Sequence, residues 1–277
     1  MVYRKCEAIE FEVPILAMVN ELYFKDIYRL KRDWVTKTAN ANLAIFLKDM
    51  DQLGFVDFGT RRRFSKAWHQ KCLRKAVFGR HISGTSNVYF AKHFGLKPIG
   101  TMAHEWLMGF QALSRRLIDF QKEAFEHWML TYRGAFSSAL TDVLGIDQFL
   151  KDWDMLLMKN YRTLRHDSGD PEMFMVKLGI HYRGTEEKPR LLFSDGLTPT
   201  KFKSILDYAR THYSSFPIAP PGIGTFFTNN CGPEPLQVVM KLHKLNGQHV
   251  IKMSDTPGKA MGDEQAAKRI INTFNIK

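Results

Sequence analysis

Five short polar segments bring together residue types that bind and move phosphate. They are Asp57-Phe58-Gly59-Thr60-Arg61, Gly100-Thr101-Met102-Ala103-His104, Arg165-His166-Asp167-Ser168-Gly169-Asp170, Ser194-Asp195-Gly196 and Gly222-Ile223-Gly224-Thr225. In the last, small residues let backbone N–H groups approach a phosphate, although a plain tight turn uses the same residues. Arg165 can hold a carboxylate bidentately, and Asp167 can take a ribose hydroxyl or a magnesium ion, which prefers oxygen ligands. Asp170, just before Pro171, reads as a helix N-cap, a role Ser168 could also fill. His166 suits a structural role as well as a catalytic one. Asp195 closes an apolar strand, where a carboxylate is costly without a partner. His104 can serve as base, ligand or phosphate acceptor, and Glu105 beside it can fix its tautomer. His69, His93 and His127 read as helix-surface residues.

These segments need elements to position them. Apolar spacing of three and four predicts helix over about Pro14 to Gln52. From residue 54 strands and helices alternate. Strands are expected at 54–59, 97–101, 137–143, 162–167, 191–195 and, weakly, 215–219. Helices are expected at 63–78, 104–132, 148–159, 171–182 and 198–213, with Pro171 at a first turn. Alternation of this kind argues for parallel strands joined by right-handed crossovers, here an irregular parallel α/β barrel. The polar segments then fall at strand C-terminal ends, which share the active face of such a barrel. Asn246-Gly247, between Leu236–Leu245 and Gln248–Met253, signals an antiparallel hairpin add-on, and a helix from about Glu264 to Phe274 closes the chain. The expected organisation is a helical segment 1–52, a catalytic barrel 53–230, and a hairpin and helix 231–277.

Composition narrows the class. The 277 residues are 44% apolar and 25% charged, as in ordinary folded proteins. The apolar run Val13–Val19 is far short of the roughly 20 residues of a membrane span. Glu7, Glu10 and Glu12 interrupt anything resembling a secretory signal. Cys6, Cys72 and Cys231 are widely spaced with no C-x-x-C, so neither a disulfide framework nor a zinc site is expected, and a reducing cytoplasm is. The net charge of +12 suits anionic ligands, and a solvated basic surface accounts for it equally well. The runs Arg61-Arg62-Arg63 and Arg29-Leu30-Lys31-Arg32 lack the interleaved aromatics of a single-strand platform, so neither nucleic acid nor membrane is an expected partner.

Order and spacing of several motifs together resemble the bacterial nicotinate phosphoribosyltransferases. They are Asp57 to Ser65, Gly84-Thr85-Ser86-Asn87, Gly100 to Trp106, Leu140-Thr141-Asp142, Leu164 to Pro171, Phe193-Ser194-Asp195, Gly222 to Thr225 and Ser254 to Lys259. The resemblance implies a type II phosphoribosyltransferase-like barrel that joins nicotinate to phosphoribosyl pyrophosphate, coupled to ATP hydrolysis with Mg2+, in a homodimer of the NAD-synthesis route. It implies that ATP phosphorylates His104 and that Phe58 stacks on the pyridine ring. Arg61 and Arg165 would hold the nicotinate carboxylate or nearby phosphates. Asp167 and Asp195 would hold ribose hydroxyls and magnesium-bound pyrophosphate, and Gly224 and Thr225 the 5′-phosphate. Ser86 would lie near the base, and Gly196 among the substrate-binding residues.

Two departures qualify the likeness. The family carries a further N-terminal domain before the position of Met1, on which residues 231–277 would pack. By that reading the chain is a truncated frame, a fragment or half of a split enzyme, with an inactive phosphate-binding protein as the rival function. Pro220-Pro221 stands where the family has an aromatic. Nicotinamide phosphoribosyltransferase is a second rival, against which the forms Thr60-Arg61-Arg62-Arg63 and Gly100 to Trp106 count.

Overall fold

The computed structural model describes residues 10–255 and 261–276. Among the described residues, six short strands pair in parallel: β1 (Phe55–Asp57), β2 (Ile82–Thr85), β3 (Ser138–Leu140), β4 (Thr163–His166), β5 (Arg190–Phe193) and β6 (Gly222–Ile223). They form two three-stranded sheets, ordered β2-β1-β6 and β3-β4-β5, and every pairing is parallel. The chain is therefore α/β, as the alternation predicts. Two compact units contain the sheets. One comprises Met1–Gly100, Ser194–Ser204 and Pro220–Met240; the other comprises Thr101–Phe193, Ile205–Ala219 and Lys241–Lys277.

In the first unit, helices Glu12–Leu30 and Arg32–Asp49 occupy the predicted helical opening. They bury Leu16, Phe24, Val35, Ala39, Leu43 and Phe46. The Phe46, Phe55 and Phe227 rings meet at centroid distances of 4.8–5.3 Å, so apolar burial ties the second helix to β1. β1 is buried at all three positions, as expected of a parallel strand covered on both faces. Ser65 caps the helix Lys66–Phe78 through the Trp68 N–H, and Asn87 caps Val88–Phe94 through the Phe90 N–H. Two expectations shift here. The strand beside β1 is Ile82–Thr85; residues 97–101 add one bridge, Thr85 to Pro98, in which the Thr85 N–H donates to Lys97 O (3.2 Å) and the Ile99 N–H donates to Thr85 O (2.9 Å). Gly222-Ile223 is itself a strand paired with β1, with Gly224 leading into the single helical turn Thr225–Thr228.

In the second unit the long helix expected over 104–132 breaks into His104–Phe110 and Phe120–Tyr132. Buried Gln111 lies at the break. Its side chain donates to Ile251 O (2.7 Å) and accepts from Ile251 N (2.8 Å). The helix expected over 148–159 likewise splits into Ile146–Asp152 and Met155–Asn160, because Asp154 caps the second piece through the Leu156 and Leu157 N–H groups. Residues 215–219 contribute a single bridge to β5, Leu191 to Ile218. The hairpin is reduced to Lys244–Leu245 against Gln248–His249. Asn246 (φ 50°) and Gly247 (φ 79°) make the turn, both with the positive φ that a type I′ turn requires. Helix Glu264–Phe274 has its predicted bounds, is capped by Asp263, and meets Phe120 through Phe274. Among the described residues no helix is long and apolar enough to cross a membrane.

Candidate active site

At the carboxyl ends of β3 and β4, several predicted residues meet in the second unit. β4 delivers Arg165, and the loop after it delivers Asp167 and Ser168. The Arg165 guanidinium donates to Asp167 Oδ1 (2.6 Å) and to Thr101 Oγ1 (2.7 Å). His104, the first residue of its helix, has Nε2 3.0 Å from Asp142 Oδ1 and 3.7 Å from Asp167 Oδ2. Asp142 Oδ2 accepts from Ser168 Oγ (2.7 Å) and from Lys252 Nζ (2.7 Å). Asp142 is fully buried. Burial alone would raise its pKa, but His104 and Lys252 outweigh that and hold the carboxyl well below its usual range. It therefore stays ionised and accepts from His104 Nε2, so that in a neutral imidazole the lone pair is on Nδ1.

The tautomer partner differs from the one expected. Glu105 pairs with Lys241 Nζ at 3.0 Å, while the carboxylate facing His104 is Asp142, 38 residues along the chain. Asp170 is the expected N-cap, accepting from the Glu172 and Met173 N–H groups. His166 is buried against Phe174 and Phe193. Asp142 stands in the matching motif Leu140-Thr141-Asp142 but has no role assigned to it from sequence, and Lys252 lies outside every motif. A signal existed for Asp142, a lone carboxylate in the apolar run Leu140 to Leu144, on the same burial argument used for Asp195.

The remaining candidates belong to the first unit. Phe58, Ser86, Gly224 and Thr225 gather at the ends of β1, β2 and β6. Phe58 N–H donates to Ile223 O (2.9 Å), and Ser86 Oγ donates to Asp57 O (3.1 Å). A Cβ on Gly222 would lie 2.5 Å from the Phe58 ring, so a glycine there lets the ring rest on the strand. Arg61 Nη1 donates to Glu12 Oε1 (2.9 Å). Its neighbours are also engaged, Arg62 with Val238 O and Arg63 with Glu21, so the basic run is not a solvated face. Asp195 is half-buried, with its carbonyl accepting from Lys201 Nζ (3.0 Å), and Gly196 is exposed at φ 53°. His93 and His127 are exposed, as expected. His69 is not: it is buried on the face of its helix that carries Cys72, Leu73 and Ala76, and its Nε2 meets Asp57 Oδ2 at 2.8 Å. The i, i+3, i+4, i+7 spacing of that face was readable. Thr85 Oγ1 and Gly59 N–H complete the Asp57 cradle.

The ligand atoms of His104, Asp142 and Asp167 lie within 4.8 Å of one another. Both Asp142 oxygens already accept from cationic or neutral donors, with an ammonium at 2.7 Å, so these residues do not form an all-protein cage for a divalent ion. They fit a magnesium ion that arrives on phosphate oxygens and meets the protein through Asp167, the usual habit of that ion. The segment Thr256 to Lys259, part of the last matching motif, lies outside the described residues.

Asp255 adds a titration. Burial raises its pKa to about 6. The Ile146 N–H opposes this, the negative Asp142 and Asp147 add to it, and Lys177 offsets them. Its folded pKa exceeds the unfolded value, so between about pH 4 and 6 the folded chain holds more of this proton, and stability falls as pH rises through that window. The stability of the natural chain relative to Asp255→Asn should fall by up to about 3 kcal/mol from pH 4 to pH 7 and then level off. Urea unfolding of both across that range measures it; a constant difference would contradict a raised pKa.

The model of the nicotinate phosphoribosyltransferase (NAPRTase) family matches residues 53–277. The nicotinate phosphoribosyltransferase of Bordetella bronchiseptica is 45% identical over 267 residues, covering 93% of this chain and 65% of the relative. That of Chromobacterium violaceum is 44% identical, covering 98% and 70%. The chain thus spans slightly less than two thirds of the Bordetella relative's length. Among solved structures, nicotinate phosphoribosyltransferase from Vibrio cholerae superposes with a TM-score of 0.87 at 33% identity, covering 96% of this chain and 67% of that one.

Proposed function

Because the chain belongs to the nicotinate phosphoribosyltransferase family, we propose that it joins nicotinate to phosphoribosyl pyrophosphate, making nicotinate mononucleotide for NAD synthesis in the cytoplasm. In this reading the six parallel strands belong to one irregular barrel, and the active form is a homodimer. The nicotinate ring nitrogen forms its bond to ribose C1 as the bond from C1 to pyrophosphate oxygen breaks, and pyrophosphate departs with the electron pair. ATP drives the cycle by giving its γ-phosphoryl group to His104 Nδ1 and leaving as ADP; water later releases that group as phosphate.

The observation that carries the proposal is the buried Asp142 bonded to His104 Nε2. A buried, ionised carboxylate orients the imidazole and stabilises the cation that develops as Nδ1 attacks phosphorus. Around the sugar, where positive charge develops at C1, catalysis is mainly positioning and electrostatics. Asp167 and Asp195 serve the ribose hydroxyls and the magnesium pyrophosphate. Bound magnesium neutralises charge on the leaving group. Arg165, anchored by Thr101 and Asp167, and Arg61, anchored by Glu12, offer guanidinium edges to the carboxylate and phosphates. Phe58 stacks on the pyridine with Ser86 and Gly196 nearby, and Gly224 and Thr225 receive the 5′-phosphate. The +12 charge helps collect substrates that are all anions.

Asp167→Asn should lower turnover more than tenfold, since loss of a transition-state contact of about 1.4 kcal/mol is a factor of ten. Steady-state rates at saturating substrates measure it, and unchanged turnover would remove Asp167 from the chemistry. The direct test of the function is nicotinate mononucleotide formation by the purified chain with Mg2+ and phosphoribosyl pyrophosphate, with and without ATP. ATP-stimulated product is expected. Turnover of nicotinamide instead would favour the sister activity, and no product from a folded chain would favour phosphate binding without transfer.

A further inference from the structure

The segment Lys252–Asp255 is fastened to the loops after β3 and β4 at each of three points. Lys252 Nζ donates to Asp142, Met253 N–H donates to Val143 O (2.7 Å), and Asp255 bonds at both its carboxylate and its backbone. The Asp255 carboxylate accepts from the Ile146 N–H through both oxygens, at 2.9 and 3.1 Å. Its backbone N–H donates to Ser168 Oγ (3.1 Å), and the same hydroxyl donates to Asp142 Oδ2 (2.7 Å). Two glycines make room for it. A Cβ on Gly145 would lie 2.8 Å from Asp255 Oδ1, and one on Gly169 would lie 2.8 Å from its Cβ. Both glycines have positive φ, 90° and 80°, so the loops close around Asp255 in conformations that other residues rarely adopt. Ser254, at φ 73°, holds a left-handed conformation that only surrounding contacts can maintain.

We propose that Asp255 is a positioning residue. It locks the C-terminal segment into the slot between Gly145 and Gly169 and, through Ser168 and Asp142, sets the orientation of His104. Ser168 has one proton, and a hydroxyl that accepts from the Asp255 N–H is held in the rotamer that gives this proton to Asp142. Asp142 then has its other oxygen fixed for His104 Nε2. The consequence for phosphoryl transfer rests on the function proposed above; the consequence for the imidazole does not.

The test uses the full chain and the variants Asp255→Ala, Asp255→Asn, Ser168→Ala, the Ser168→Ala/Asp255→Ala double, and Gln111→Ala. The last loosens the same C-terminal segment at Ile251 without touching the relay. Labelled ATP with Mg2+ measures the rate at which acid-labile phosphate reaches the protein. Asp255→Ala and Ser168→Ala should each slow the rate at saturating ATP at least tenfold, while the half-saturating ATP concentration moves less than twofold. The double variant should be no slower than the slower single one, as expected of two groups in one chain of bonds. Asp255→Asn keeps an oxygen for the Ile146 N–H and should stay within threefold of the natural chain. Gln111→Ala should stay within twofold even if it melts earlier. Asp255→Ala at the natural rate, or as harmless as Gln111→Ala, would overturn the inference. If the natural chain takes up no phosphate, the parent function fails while the relay is still read from histidine imidazole 15N spectra, with His104→Ala assigning the signal. His104 should then be the Nε2–H tautomer in the natural chain and Asp255→Asn, and a mixture in Asp255→Ala and Ser168→Ala. One tautomer throughout would sink the relay.

Discussion

His104→Ala should abolish stimulation by ATP and leave only a slower, ATP-independent transfer. The expectation comes from the geometry around the ring. Asp142 occupies Nε2, so Nδ1 is the nitrogen with a lone pair to attack the γ-phosphorus. The fold should tolerate the change, because Lys252 and Ser168 still donate to Asp142; loss of one hydrogen bond to a charged group costs about 1.5–3 kcal/mol. Three readouts should move together. Acid-labile phosphate on the chain disappears, ATP hydrolysis falls to background, and rates with and without ATP agree within about twofold, a difference worth less than 1 kcal/mol. In the natural chain the phosphate should be on Nδ1, which 31P and 15N spectra distinguish from Nε2. Full ATP stimulation in His104→Ala would end the phosphohistidine proposal. Phosphate on Nε2 would mean that the imidazole leaves Asp142 during the cycle.

Asp142→Asn should be the most damaging single change in the second unit. Three donors converge on this buried carboxylate: His104 Nε2, Ser168 Oγ and Lys252 Nζ. An asparagine amide offers one oxygen and turns two N–H groups towards groups that also donate. It also leaves the Lys252 ammonium, itself only 11% exposed, without its counter-charge. Removing one partner of a buried ion pair costs about 3–5 kcal/mol, a large part of the stability of a typical domain. Urea unfolding should show a loss of that size, together with loss of ATP stimulation. A double variant, Asp142→Asn with Lys252→Met, separates the two effects. It removes the stranded charge and should recover much of the stability, but the imidazole still lacks its orienting anion and ATP stimulation should stay absent. Recovery of both would reduce Asp142 to a packing role.

Much of this protein could be read along the chain because the interactions responsible are local. Apolar periodicity located the opening helices, Pro171 with Asp170 marked the start of one helix, and Asn246-Gly247 marked a turn whose two positive φ angles few other pairs accept. Alternating strands and helices implied parallel sheets, since a parallel pair needs a crossover. The strand-end segments placed His104, Arg165 and Asp167 in one neighbourhood, which they occupy. What propensity alone misjudged were continuities. Residues 104–132 look helical throughout, yet buried Gln111 at the break is bonded to Ile251, a contact spanning 140 positions.

The partners of the charged groups came only from the folded chain. Glu105 is adjacent to His104, but successive residues of a helix point in different directions, and it turns to Lys241 instead. Asp142 reaches the imidazole because β3 and β4 pair in register and bring their carboxyl ends side by side. Lys252 and Asp255 join them from more than a hundred residues away, through loops that close only because Gly145 and Gly169 lack side chains. Local sequence thus sets which backbone conformations are cheap and which residues can carry charge. Which charges meet depends on strand pairing and burial, and burial makes a stray ion so costly that each one must find its partner in the tertiary structure.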